Sequence, residues 1–206
     1  YFDISKAFDT VVHSKLLAKL PGYGLDGPIL RWIGDFLNER RQYVSLNGSR
    51  SSSVPVVSGV PQGSVLGPLL FNLFINDMFS IFRFSSAKAF ADDTKLSSVV
   101  DSVESYQGLC SDIRLLLNWM ESNQLKVAFE KCCVLHLGSK NPKRSYTFDG
   151  FELSKTDVVK DLGIYVSDDL KPSAHCSFVA GKAFRVSMLI FRRGFSSRNP
   201  LFLKSA

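Results

Sequence analysis

The chain has 206 residues, 45% hydrophobic and 21% charged, ordinary globular figures that allow one large domain or two small ones with a sizeable core. No apolar run reaches the ~18 residues of a membrane-spanning helix, and Cys110, Cys132, Cys133 and Cys176 have neither zinc-site nor disulfide-framework spacing, so they read as reduced thiols. A formal net charge of +6 and a pI near 9.2 favour an anionic partner, nucleic acid or a membrane surface.

In chain order, Tyr1 to Ile4 reads as a short strand carrying Asp3, and Asp9-Thr10 as an N-cap region. A helix over about 13–20 ends at Pro21-Gly22, and a second runs over about 28–37 with Ile29, Leu30, Ile33, Phe36 and Leu37 inward. Arg40-Arg41 enters an alternating strand at 43–46. Asn47-Gly48 is a hairpin turn signal, with a return strand over 54–57. Gly59-Val60-Pro61-Gln62-Gly63-Ser64 is a loop, and Gly67-Pro68 starts a helix with Leu69, Leu70, Leu73 and Phe74 as its apolar stripe. Residues leading into and out of Phe90-Ala91-Asp92-Asp93 predict strand, tight turn and strand. An amphipathic helix spans about 102–121. A strand pair follows at 126–129 and 134–138, then a hairpin at Asp149-Gly150, a strand over 158–166 and a basic helix over about 173–193. The expected Phe191 and Phe195 role is core of that last segment.

The chemistry concentrates on three carboxylates. Asp3 and the Asp92-Asp93 pair each stand at the end of a predicted strand, and they converge if the strands are antiparallel neighbours. Converged carboxylates repel and raise one another's pKa unless a cation neutralises them, and hard oxygen ligands suit Mg²⁺. Two such ions are common machinery for in-line phosphoryl transfer. Taken alone, an Asp-Asp turn suits a solvated loop better than a metal site. His13, His136 and His175 are isolated and read as structural or surface residues, and no Gly-rich phosphate loop of the P-loop kind is present. The basic clusters Arg40-Arg41, Lys140 to Arg144 and Arg192-Arg193 suit either solvated charge or phosphate contact.

Tyr1-Phe2-Asp3-Ile4-Ser5-Lys6-Ala7-Phe8-Asp9, Gly59-Val60-Pro61-Gln62-Gly63-Ser64-Val65-Leu66-Gly67-Pro68 and Phe90-Ala91-Asp92-Asp93 resemble motifs A, B and C of reverse transcriptases, in that order. The stretch from Trp119 to Gly138 is similar to motif D and its surroundings, and Lys160 to Ile164 to the motif E region. The resemblance is to non-LTR, LINE-type retrotransposon polymerases of the jockey-like kind. It implies an α+β polymerase palm, an antiparallel sheet backed by helices, with part of the fingers over residues 1–170 and the start of the thumb over 171–206.

The resemblance also implies roles. Asp3 and Asp92 hold two Mg²⁺ ions, for which Mn²⁺ can substitute, with Asp93 as the weaker contributor. Phe8 is the aromatic gate against a ribose 2′-hydroxyl, Gln62 and Gly63 contact template base and nucleotide, and Lys131 is the proton donor to pyrophosphate. The partners implied are an RNA template, a DNA primer and dNTPs, inside the cell in nucleus or cytoplasm, with no membrane. The competing readings are a degenerate, non-catalytic retroelement fragment that at most binds RNA or DNA, and an RNA-templated RNA polymerase, against which Phe8 and Phe-Ala-Asp-Asp speak. A chain opening at Tyr1 is expected to be a piece of a longer polypeptide whose basic fingers residues precede it. By itself it is expected to bind primer–template weakly and extend it poorly.

Overall fold

The computed structural model describes residues 1–197, with side chains followed to residue 192; the Arg193 and Phe195 side chains, and 198–206 of the expected thumb segment, lie outside the described residues. The chain divides into two compact units: residues 1–134 with 144–154, and residues 135–143 with 155 onward.

The first unit begins with β1 (Phe2–Asp3), a single helical turn α1 (Ala7–Thr10), α2 (His13–Lys19) and α3 (Gly27–Leu37). The expected N-cap at Asp9-Thr10 is corrected: these residues are helical themselves, and Val12 precedes α2 without a side-chain cap. Two small ribbons follow. β2 (Arg41–Gln42) pairs with β5 (Val54–Pro55), while β3 (Ser45–Leu46) pairs with β4 (Ser49–Arg50). Asn47 and Gly48 both adopt positive φ (48° and 82°), as a two-residue hairpin of the I′ kind requires. The return strand is thus split, its first part lying in the polar serine run.

After the 59–64 loop comes α4 (Leu66–Ile75), which buries Leu70, Phe71, Phe74 and Ile75. Leu69, expected inward, is exposed, because the buried stripe is rotated by one residue. β6 (Ser86–Phe90) and β7 (Asp93–Ser97) form a hairpin, and β1 joins its β7 edge to give a three-stranded antiparallel sheet in the order β1-β7-β6. α5 (Val103–Ser122) starts at a capping box in which Ser102 and Ser105 satisfy each other's backbone N–H groups. Its Ile113, Leu116 and Met120 join Leu16, Leu20, Leu37, Phe71 and Phe74 in one core with Phe2 and Ile4 of the first strand. β8 (Cys133–Leu135) follows, and then β9 (Thr147–Phe148) and β10 (Phe151–Glu152) close around Asp149-Gly150 as expected. The anticipated 126–129 strand does not pair with 134–138; Val127 bridges Ile4 instead.

In the second unit, after β11 (Ser154–Thr156), the expected single strand over 158–166 is a hairpin of β12 (Val158–Asp161) and β13 (Ile164–Ser167). Leu162 and Gly163 make its turn, both at positive φ (47° and 88°). α6 (Ser173–Ser197) closes the described residues, its Phe178 ring 4.8 Å from that of Tyr165. Phe191, expected in a core, is 61% exposed. All four cysteines are free thiols, and among the described residues no helix is long and apolar enough to cross a membrane.

Candidate active site

The sheet register brings the sequence motifs together. Asp3 lies directly across from Asp93, and Phe2 across from Thr94. Phe2 and Thr94 are buried at 4% and 1% exposure, so the alternation of side chains turns Asp3 and Asp93 to the opposite face of the sheet. Phe90 pairs with Asp93, which leaves Ala91-Asp92 as the two-residue loop at the hairpin tip. Ala91 adopts φ 54°, the left-handed region that a primed hairpin turn demands at its first central position and that a side chain resists. The hairpin tip therefore holds local backbone strain beside two carboxylates.

Lys131 also reaches this face. Its Nζ lies 3.2 Å from Asp3 Oδ1, an ion pair between a half-buried carboxylate and an exposed ammonium. The pairing follows from the backbone. Ala128 N–H donates to Asp3 O (3.0 Å), Cys133 N–H to Tyr1 O (3.1 Å) and Ser5 N–H to Lys126 O (2.8 Å), so the 126–133 segment is tied along β1. Cys132, buried beneath this segment, donates its thiol to Ala128 O, and burial pushes its pKa up, which keeps it an inert thiol.

The glycine-rich loop docks on α1. Val60 N–H donates to Phe8 O and Gly59 N–H to Val11 O, both at 2.8 Å, and Gly59 O accepts from His13 Nε2 at 2.8 Å. A Cβ on Gly59, whose φ is 85°, would lie 2.7 Å from Asp9 Cα, so only glycine fits this approach. Gln62 Nε2 donates to Asp9 Oδ1 at 2.7 Å, and Gly63 is exposed with open space around it. Phe8 stacks on Phe71 of α4, ring centroids 4.4 Å apart. Asp3, Asp93 and Lys131 are thus assembled on one sheet face, while Phe8, Gln62 and Gly63 are organised around α1.

Carboxylate oxygens of this kind suit a hard divalent ion. Among the described residues no three His, Cys, Asp or Glu side chains form a metal cage, so the site offers the one or two carboxylates by which Mg²⁺ is usually held beside substrate phosphates. Mutual repulsion opposes their closer approach, and the Lys131 ammonium is the cation that neutralises Asp3 here.

Two contributing residues escape sequence reasoning. Asp9 is the partner of Gln62, although it reads as a helix cap. Asp112 is fully buried on α5, where it accepts the N–H groups of Arg83, Phe84 and Ser85 and the Ser85 hydroxyl at 2.7–3.2 Å. It thereby fixes the segment that enters β6. The signal was available: Asp112 falls between Leu109 and Ile113 on the apolar stripe of its helix, where a charge must be compensated.

Comparison with known proteins accords with this geometry. Residues 1–166 match the family model described as reverse transcriptase (RNA-dependent DNA polymerase). The chain is similar to the RNA-directed DNA polymerase from mobile element jockey of Drosophila melanogaster, 29% identical across 98% of this chain and 23% of that protein. The jockey polymerase of Drosophila funebris is 28% identical over the same shares. The probable RNA-directed DNA polymerase from transposon BS of Drosophila melanogaster is 31% identical across 90% of this chain and 22% of its own length. The chain spans about a quarter of the length of these curated relatives. With a family model matched over most of its length, the chain belongs to the reverse transcriptase (RNA-dependent DNA polymerase) family, in the company of jockey-like retrotransposon polymerases.

Proposed function

We propose that this chain is the palm of an RNA-directed DNA polymerase of a retrotransposon, with part of the fingers over 1–170 and the start of the thumb over 171–206, acting in nucleus or cytoplasm. It joins dNTPs to the 3′-hydroxyl of a DNA primer on an RNA template. The observation that carries the reading is the pairing of β1 with β7, which sets Asp3 opposite Asp93 at a strained hairpin tip bearing Asp92.

Asp3 and Asp92 would hold two magnesium ions, replaceable by manganese, with Asp93 as the weaker contributor. Bound there, the ions would supply charge neutralisation on the phosphates and activation of the attacking hydroxyl. The protein's own residues position rather than react. Phe8, held by its stack on Phe71, closes the space that a ribose 2′-hydroxyl would need. Gln62, oriented by Asp9, and Gly63 line the template base and incoming nucleotide. Lys131 supplies a proton to departing pyrophosphate. The basic surface, +6 overall, meets the template and primer phosphates.

The test is primer extension. The aligned stretch of the Drosophila melanogaster jockey polymerase is replaced by this chain, and the chimera is offered an RNA template with dNTPs or NTPs in separate lanes. Magnesium-dependent extension with dNTPs alone supports the reading. A soluble chimera that binds primer–template but extends in neither lane contradicts it.

A further inference from the structure

Lys131 and Asp3 make an unequal pair. Asp3 sits on a strand hydrogen-bonded to its neighbours on both sides, and its side chain is 23% exposed. Lys131 is 61% exposed, at the end of a tight turn over Phe129–Lys131 closed by Lys131 N–H on Ala128 O. One partner is fixed and sheltered. The other is a long, flexible side chain whose head is solvated, so it can leave at small cost.

The backbone ties of the 126–133 segment to β1 hold the base of Lys131 beside Asp3 whatever its head is doing. Its ammonium is therefore at high local concentration around the Asp3 carboxylate. A divalent ion approaching Asp3 from solvent meets a resident positive charge at 3.2 Å from one of the two oxygens it needs. Asp93 across the strand adds a second negative charge to the same face and favours cation exchange over a carboxylate left bare.

We propose that Lys131 is the positioning residue of Asp3, a built-in counter-cation that holds this carboxylate when no ion is bound and leaves it when a divalent ion arrives. Lys131 therefore sets the affinity of the site for the ion. The inference rests on the reading of Asp3 as an ion ligand, and it concerns a step before any proton is given to pyrophosphate.

The 206-residue chain is titrated with Mn²⁺ in the absence of nucleotide and nucleic acid, with free ion read by electron paramagnetic resonance. Lys131→Met is expected to bind Mn²⁺ about 3- to 10-fold more tightly than wild type, since it removes both the competing ion pair and the repulsion. Lys131→Arg should stay near wild type. Lys126→Met removes an equal charge from the same segment without the Asp3 contact, and should change affinity less than about twofold, as expected of a screened surface charge. Unchanged or weaker binding by Lys131→Met, with Asp3→Asn still weakening binding, overturns the proposal and leaves the ion site standing. Binding indifferent to Asp3→Asn removes the ion site and the proposal with it. A measurement on the wild-type chain guards against a misfolded variant. The Lys131 ε-methylene signal should shift during a Mg²⁺ titration and saturate with ion binding, and a signal that does not move overturns the exchange.

Discussion

Asp112→Asn changes almost no volume, yet it should be among the most damaging substitutions in the first unit. The carboxylate is fully buried and receives three backbone N–H groups and one hydroxyl, with the shortest contacts 2.7 Å from the Ser85 N–H and Oγ. Hydrogen bonds to a charged group are worth ~1.5–3 kcal/mol each. All four donors reach Oδ2, and Arg83 N–H alone also reaches Oδ1, so an asparagine with its oxygen in the Oδ2 place loses that one contact to its NH₂ and accepts the others without the charge that strengthens them. The expected cost is about 2–3 kcal/mol, one charged hydrogen bond lost and the others weakened. Urea unfolding followed by tryptophan fluorescence reads it directly, because Trp32 and Trp119 both lie in the first unit. Burial pushes the Asp112 carboxyl up, but the Ser85 hydroxyl and the three N–H groups outweigh it and hold the pKa below the ordinary 3.8. With the folded value depressed, the stabilisation is present above pH ~3.8 and is lost as pH falls through the folded pKa. The wild type should therefore lose stability on acidification below about pH 4 more steeply than Asp112→Asn. A loss under ~1 kcal/mol at neutral pH, or identical acid slopes, would refute the account of this network.

Further outcomes follow from the other contacts. Gly59→Ala adds a Cβ 2.7 Å from Asp9 Cα at a φ of 85°, and should cost about 2–4 kcal/mol in urea unfolding; a neutral result would mean that the loop re-docks freely. Ala91→Gly relieves the left-handed strain at the hairpin tip and should stabilise by about 0.5–1 kcal/mol, seen as a raised urea midpoint. Phe8→Val should open space beside the nucleotide sugar and lower dNTP-over-NTP discrimination in the chimera by about 1–3 kcal/mol. An unchanged ratio of specificity constants takes Phe8 out of that role.

What could be read from the sequence was local. Asn47-Gly48, Asp149-Gly150 and the turn within Phe90 to Asp93 announce themselves through residue chemistry, and the long helix through its apolar period. The Leu162-Gly163 turn does not, because leucine carries no preference for the φ of 47° that it adopts. Pairing between distant segments is equally silent in a periodicity. Val127 bridges Ile4 rather than the nearby 134–138 stretch, and that unforeseen neighbour is what carries Lys131 to Asp3. Asp9 was hidden for a related reason, its partner Gln62 lying far away in sequence, whereas Asp112 shows as a charge on an apolar stripe and only its partners at 83–85 are out of reach of that pattern. The carboxylates themselves were legible because motif order, not spacing, brings them to one sheet.

The central claim is that Asp3 and Asp92 are the ion-holding carboxylates of a polymerase. Its most direct test is primer extension by the jockey chimera in Mg²⁺, comparing wild type with Asp3→Ala, Asp92→Ala and Asp93→Ala at equal primer–template occupancy. Extension should vanish for the first two and fall less for Asp93→Ala. Near-normal incorporation by Asp92→Ala would contradict the account.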